Sequence, residues 1–329
     1  MIRKFGEYEN QEVHLYEIEN DNYAIGMMDY GATLVYWVDK RIKKNIVLGF
    51  DNFESYVDNS NYFGATIGRV CNRIGEGKYE LDGTIYHLDK NDKGNTLHGG
   101  ASGFGHLMYR GRIEDNAIIF DIYSENGEGG FNGNISFEAK YILEENGLRF
   151  IGIAESDEDT IFVPTSHSYF NLNGNGSALE HMLQIDSEEF VPIDQNGLAK
   201  DEIQPVEYTP FDFREEKKIG EDIRNPYEQL IKGCGYDHHY IIEGDGYRHF
   251  VTLSNGKSEL KVYSTMPGVQ FYSGNFLNDP FEPNEGVCFE TQYVPNAING
   301  KLFEKPILFK NVAQKYETFF ELNVIDNNE

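Results

Sequence analysis

The chain has 329 residues with 28 basic and 55 acidic side chains, a formal charge of −27. A field of that sign repels nucleic-acid phosphates, anionic membranes and phosphorylated small molecules unless a local basic pocket overrides it, so neither nucleic acid nor membrane is an expected partner. No run of 18 apolar residues is present to span a bilayer.

Residues 1–9 lack the apolar stretch of a secretory leader, which sets the expectation of a soluble, cytoplasmic protein. Cys71, Cys234 and Cys288 are odd in number, widely spaced and set among apolar residues. They are expected to be reduced core thiols rather than a disulfide framework. Gly and Asn are spread throughout, with no low-complexity tract, fixed-period repeat or linker, so residues 1–329 are expected to form one domain.

In chain order, the first candidate element is a short helix over residues 52–56. Turn chemistry dominates thereafter, with Asn-Gly pairs beginning at Asn126, Asn132, Asn146, Asn173, Asn175, Asn196, Asn255 and Asn299, and Asp-Gly pairs at Asp82 and Asp245. Type I′ turns need positive φ, which Asn, Asp and Gly tolerate, so several of these pairs should close antiparallel hairpins. Residues 78–88 should turn at Asp82-Gly83, with Tyr79 and Leu81 alternating before the turn and Ile85 after it. Residues 136–156 should turn at Asn146-Gly147 and residues 250–265 at Asn255-Gly256. A second short helix is expected over residues 215–223. Nothing alternates strand with long helix, which argues against a parallel α/β fold. The 23 Phe and 22 Tyr suit large antiparallel sheets packed face to face, an all-β fold with few short helices.

The chemistry-bearing residues fall along the same path. Asn72 and Arg73 precede a tight turn at Gly75, where a solvated charge or ion pair competes with a forked donor spanning two hydroxyls. Arg69 reads as structural. His98, followed by Gly99 and Gly100, is either a turn histidine or a polar contact whose glycines allow close chain approach. His167 lies among aromatics in residues 165–171, where a hydrogen-bonded core histidine is the common alternative to a catalytic one. Asp237 is a turn acceptor or a charged acceptor for two hydroxyls. Tyr169 and Gln270 are more ordinarily a core aromatic and a turn amide. Glu290, beside Val287, Cys288 and Phe289, should be desolvated, which raises a carboxyl pKa and improves it as a base near neutral pH. A histidine with its ordinary pKa near about 6.5 would hold a proton at little cost.

Taken together and in order, residues 64–74, 95–100, 165–171, 235–238, 267–276 and 290–299 resemble the aldose 1-epimerase (galactose mutarotase) family from about residue 20 to residue 325. The resemblance implies a single large β-sandwich of the galactose mutarotase type, with a sugar in an open cleft on one concave sheet. It implies Glu290 as base and His167 as acid, with Asn72, Arg73, His98, Tyr169, Asp237 and Gln270 contacting a small-molecule aldose such as galactose or glucose. It implies no cofactor.

No metal is expected. His238 and His239 are adjacent on a strand and should point to opposite faces, and no Cys-x-x-Cys or His-x-x-x-His spacing occurs. Met108, Asn132, Tyr293 and Asn296 depart from the family's usual residues, which places the shape of the cleft rim, and with it substrate preference, in question. Rival readings are a hexose-6-phosphate epimerase of similar fold, a glycoside hydrolase using Asp237 and Glu290, and a silent carbohydrate-binding protein. The charge favours solubility and leaves the oligomeric state open.

Overall fold

The structure is a computed structural model that describes residues 1–57 and 59–325. Antiparallel strands dominate it, gathered into a nine-stranded, a six-stranded and an amino-terminal five-stranded sheet with several two-stranded pairs between them. Among the described residues no helix is long and apolar enough to cross a membrane.

The nine-stranded sheet runs in the order Arg110–Glu114, Ala117–Ser124, Ile135–Glu144, Gly147–Ser156, Gln314–Val324, Ser258–Ser264, Arg248–Ser254, Met182–Ile185, Lys217–Lys218. Its strands alternate. Ile135, Phe137, Ala139, Tyr141 and Leu143 are buried, while Ser136, Glu138 and Lys140 between them face outward, the period-2 pattern of a sheet with one wet face.

The six-stranded sheet runs Tyr169–Phe170, Val287–Gln292, Gly268–Tyr272, Asp237–Ile241, Glu189–Val191, Gln204–Pro205. Every residue of Val287–Gln292 and Gly268–Tyr272 is buried. Alternation sends Val287, Phe289 and Thr291 toward the nine-stranded sheet. There the Phe170 and Phe320 rings lie 5.1 Å apart and the Thr291 and Thr318 hydroxyls are bonded. Cys288, Glu290 and Gln292 take the opposite face, together with Gln270 and Asp237 from the neighbouring strands. In register, Glu290 sits opposite Gln270 and Gln270 opposite His239, while Cys288 sits opposite Tyr272 and Tyr272 opposite Asp237. The five-stranded sheet joins the same core through Tyr16 against Phe120 and a Tyr23 hydroxyl that donates to the Leu322 carbonyl. The main apolar cluster extends from Tyr16 to Leu322.

The hairpin at Asp82-Gly83 forms as expected, with φ of 50° and 78° and Leu81 paired to Thr84. The one over residues 136–156 also forms, but Glu144 pairs with Gly147, so the turn is Glu145-Asn146. Gly147 belongs to the strand, where a Cβ would collide with the Phe320 carbonyl of the next strand. Over residues 250–265, Ser254 pairs with Glu259, and the Asn255 side chain accepts from the Lys257 and Ser258 amides.

Two expectations are corrected. Residues 215–223 are not helical: Lys217–Lys218 adds a short strand to Met182 and Leu183, which satisfies its backbone and buries Ile219. Among the described residues the α-helices are Glu54–Val57, close to expectation, and Glu228–Gly233. Cys71 and Cys288 are buried, but Cys234 is exposed, at φ 55° where the Glu228–Gly233 helix ends.

Candidate active site

The polar face of the six-stranded sheet floors a cleft of about 370 Å³, within the range of small-molecule sites. Glu290, Asp237 and Tyr272 rise from the floor. Asn72, Arg73, Asn91, Asp92 and His98 form one wall, and Ser60, Asn61, Tyr62, His167 and Tyr169 another.

His167 lies between two short strand pairings, Thr165–Ser166 with Thr66–Ile67 and Tyr169–Phe170 with Val287–Gln292. Its amide donates to the Ala65 carbonyl at 2.9 Å, and its carbonyl accepts from the Gly64 amide at 3.0 Å. Gly64 has φ 65°, and a Cβ there would collide with the Leu34 carbonyl. The backbone is thus tied on both sides, and the ring is aimed across the cleft at Glu290, Nε2 to Oε1 3.8 Å.

Both side chains are buried, 6% and 3% exposed, which disfavours the charged form of each. Burial pushes Glu290 up to about 8, with the Asp237 charge adding to the rise and Arg73 opposing it. Burial pushes His167 down to about 4. The expected rise in Glu290 is present. The expectation that His167 keeps its ordinary pKa is corrected: near neutral pH its imidazole is neutral. Glu290 Oε2 is buried without a hydrogen-bond partner among the described residues.

The remaining sequence-singled residues divide into those that face the cleft and those behind it. Arg73 Nε donates to Asp92 at 2.7 Å, and its Nη1 stands 3.9 Å from Asp237. Asp237 accepts from the Gln270 amide at 2.8 Å and is raised by burial, with Arg73 pulling the other way. Gln270 does not line the cleft; it braces Asp237 from the next strand. Asn72 has φ 60°, and its backbone amide donates to His98 Nδ1 at 3.2 Å, while its side-chain oxygen accepts from the Arg73 amide. Tyr169 lines the cleft and donates its hydroxyl to the Asn61 carbonyl at 3.0 Å. Arg69 is structural, as read, donating to Ser124 and to the carbonyls of Glu125, Asn132 and Gly133.

His98, His167 and Glu290 each bring one ligand atom within 4.8 Å of the others, a cluster that motif spacing did not reveal. The donor set nevertheless does not suit a metal. Because His98 Nδ1 accepts from the Asn72 amide, the neutral ring carries its proton on Nε2, and that nitrogen has no lone pair to offer. His98 is therefore a donor toward oxygen. His238 and His239 do diverge: His238 Nε2 meets Gln229 at 3.2 Å, while His239 packs over Gly268 on the other face.

Sequence reading missed Asp92, Tyr62, Tyr272 and Phe276. Asp92 sits beside Lys93 and Gly94 and looked like turn composition; the signal available was its closeness in sequence to His98. Tyr62, whose ring lies 4.8 Å from that of His98, stands in a loop without periodic context. The four departures Met108, Asn132, Tyr293 and Asn296 do not belong to the cleft lining. Asn132 accepts from the Tyr79 hydroxyl, and Asn296 accepts from the Gly75 amide.

Residues 14–320 match the aldose 1-epimerase family. The galactose mutarotase of Homo sapiens is 31% identical over 328 residues, 95% of this chain and 94% of the relative. The aldose 1-epimerase of Escherichia coli (strain K12) is 32% identical over 326 residues, covering 93% of each chain. The crystal structure of galactose 1-epimerase from Lactobacillus acidophilus NCFM superposes with a TM-score of 0.89 at 28% identity, covering 98% of both chains.

Proposed function

Since the chain belongs to the aldose 1-epimerase family, we propose that it interconverts the anomers of a free hexose such as galactose or glucose, with Glu290 as base and His167 as acid. The enzyme is an isomerase of a small-molecule sugar. The observation that supports these roles is the pair itself: two buried groups, 3.8 Å apart, with their proton affinities driven in opposite directions by one shielded floor.

Glu290 takes the proton of the C1 hydroxyl while His167 delivers a proton to the ring oxygen, and the C1–O5 bond breaks to give the open-chain aldehyde. Rotation about C1–C2 presents the other carbonyl face, and closure returns both protons. The pair needs one proton in total. At rest that proton sits on Glu290; the working arrangement has it on His167, a transfer within the pair that leaves net charge unchanged. Each positioned group is worth about 10²–10⁴-fold. Arg73, Asp237, Asn72, His98 and Tyr169 orient the hydroxyls, and Gln270 acts through Asp237.

A neutral substrate follows from the lining. Among the described residues that form it, Arg73 faces Asp92, Asp237 and Glu290, and burial holds both cleft histidines below their ordinary range. A phosphate group would meet that arrangement at an electrostatic cost.

Polarimetry on freshly dissolved α-galactose, α-glucose and α-galactose 6-phosphate tests this reading. Faster approach to the ordinary equilibrium rotation is expected for the free sugars, at least tenfold weaker catalysis for the phosphate, and no release of reducing sugar from a disaccharide. A preference for the phosphosugar would overturn it.

A further inference from the structure

Asp92 reaches the cleft wall on a closed turn. The Asp92 and Asn95 amides each donate to the other's carbonyl, at 3.2 Å and 2.8 Å, around Lys93 and Gly94 with φ of 47° and 89°. Positive φ at both central residues is the conformation of a tight two-residue hairpin turn. The Asn91 side chain accepts from the Leu97 amide and donates to the Leu97 carbonyl, and the Asn95 side chain accepts from the Glu76 amide. The carboxylate held in this way meets Arg73, whose Nε donates to Asp92 Oδ2 at 2.7 Å, with the two side chains 13% and 18% exposed for Arg73 and Asp92. Arg73 Nη1 donates to the Gly197 carbonyl at 3.4 Å, and a Cβ at Gly197 would stand 3.1 Å from Arg73 Cζ. Asp237 Oδ2, 3.9 Å from Nη1, is beyond hydrogen-bond reach.

We propose that Asp92 is a positioning and specificity-determining residue: it seats Arg73 for the sugar hydroxyls and offsets the Arg73 charge, so that the cleft takes a neutral aldose and rejects an anionic one such as a hexuronate. The proposal rests on the reading of the cleft as a mutarotase site and deepens it by naming the residue that sets substrate charge. Arg73 is the one Lys or Arg among the described residues lining the cleft, so its counterion decides whether that wall presents a net cation. Two carboxylates stand near it and divide the work. Asp92 is engaged by the guanidinium in a short charge-assisted hydrogen bond. Asp237, which accepts from Gln270 through Oδ1, keeps Oδ2 for a hydroxyl.

The two roles of Asp92 separate by substrate charge. A neutral sugar senses Asp92 through where it holds Arg73. An anion also senses the carboxylate charge itself, which salt screens only weakly because the pair is mostly shielded.

The test follows mutarotation of freshly dissolved α-galactose by polarimetry at neutral pH, with galacturonate as a competing anion. The galacturonate is brought to anomeric equilibrium beforehand, so that it adds a constant rotation. For the wild type, Ki for galacturonate is expected at least about tenfold above KM for galactose. Asp92→Asn keeps the shape and an oxygen for Arg73 Nε; it should raise KM about threefold and cut the ratio of Ki to KM about tenfold. Asp92→Ala, which removes the acceptor as well, should raise KM about tenfold or more with kcat within about threefold. In an Arg73→Ala background the same Asp92→Ala change should raise KM by no more than about twofold further, because Asp92 acts on a neutral sugar through Arg73. Thermal unfolding curves confirm that each variant is folded. A ratio of Ki to KM unchanged in Asp92→Asn, or a KM rise that persists in full without Arg73, overturns the proposal. No acceleration of galactose mutarotation by the wild type would instead remove the reading beneath it.

Discussion

The nine-stranded and six-stranded sheets share one antiparallel pleat and differ in what covers their second face. On Ile135–Glu144 the outward residues Ser136, Glu138 and Lys140 meet water. On Val287–Gln292 the corresponding residues Cys288, Glu290 and Gln292 lie under the loops that wall the cleft, and every residue of the strand is buried. The same alternation that gives one sheet a solvated surface gives the other a shielded polar row. Burial is what separates Glu290 and His167, raising the carboxyl and lowering the imidazole. On the wet face Glu138 instead pairs with Arg112 at 2.9 Å.

The sharpest way to break this contrast is to change the shielded face. Glu290→Gln should lower kcat for α-galactose by about 10³-fold or more, within the span of a positioned general base and its partner. Polarimetry measures it, and circular dichroism should show an intact β fold. A loss below tenfold would mean the shielded carboxyl is not the base.

Next in size is Asp237→Asn. Asp237 is the charged acceptor between Arg73 and Gln270, and a hydrogen bond to a charged group is worth about 1.5–3 kcal/mol. KM should rise about tenfold or more with a smaller change in kcat, read from initial rates against sugar concentration. A fall in kcat at constant KM would move Asp237 into the chemistry.

A smaller effect concerns stability. The folded pKa of Glu290 is raised from 4.5 to about 8, so its stabilising contribution is whole below about 4.5. It is lost as pH climbs toward about 8, because the unfolded chain ionises first. Glu290→Gln should therefore raise Tm by about a few degrees at pH 8 and leave it nearly unchanged at pH 4. Equal shifts at both pH values would show that charge burial is not the cause.

The smallest effect is expected on the wet sheet. Ile153, 40% exposed on Gly147–Ser156, can become Thr with a stability change within about 0.5 kcal/mol and unaltered kcat and KM. A kinetic change there would show coupling between the sheets that their packing does not explain.

These two sheets also explain what the sequence made legible. Alternation and Asp-Gly chemistry marked the wet hairpins well, because water on one face imposes period 2. The buried strand around Glu290 has no such alternation; its acid was visible because Glu beside Val, Cys and Phe is costly to bury. At His167, Arg73, His98 and Asp237 local sequence leaves a structural alternative open, and only the resemblance decides for a site. The bracing of Asp237 by Gln270 depends on strand register, which neighbouring residues in sequence do not encode. Asp92 and Tyr62 come from loops folded over the floor, where local composition signals only a turn. The helix expected over residues 215–223 was lost to the open edge of Met182–Ile185, a partner far away in sequence.

The most direct measurement is the pH dependence of wild-type kcat/KM for α-galactose, followed by polarimetry from pH 3 to pH 10 with the uncatalysed rate subtracted. A pair that shares one proton should be active across a plateau from about 4 to about 8. Below it both groups are protonated and the base is lost; above it neither is and the acid is lost. A single transition near 6.5, the ordinary histidine value, would contradict the account, because it would mean that the shielded floor does not drive the two groups apart.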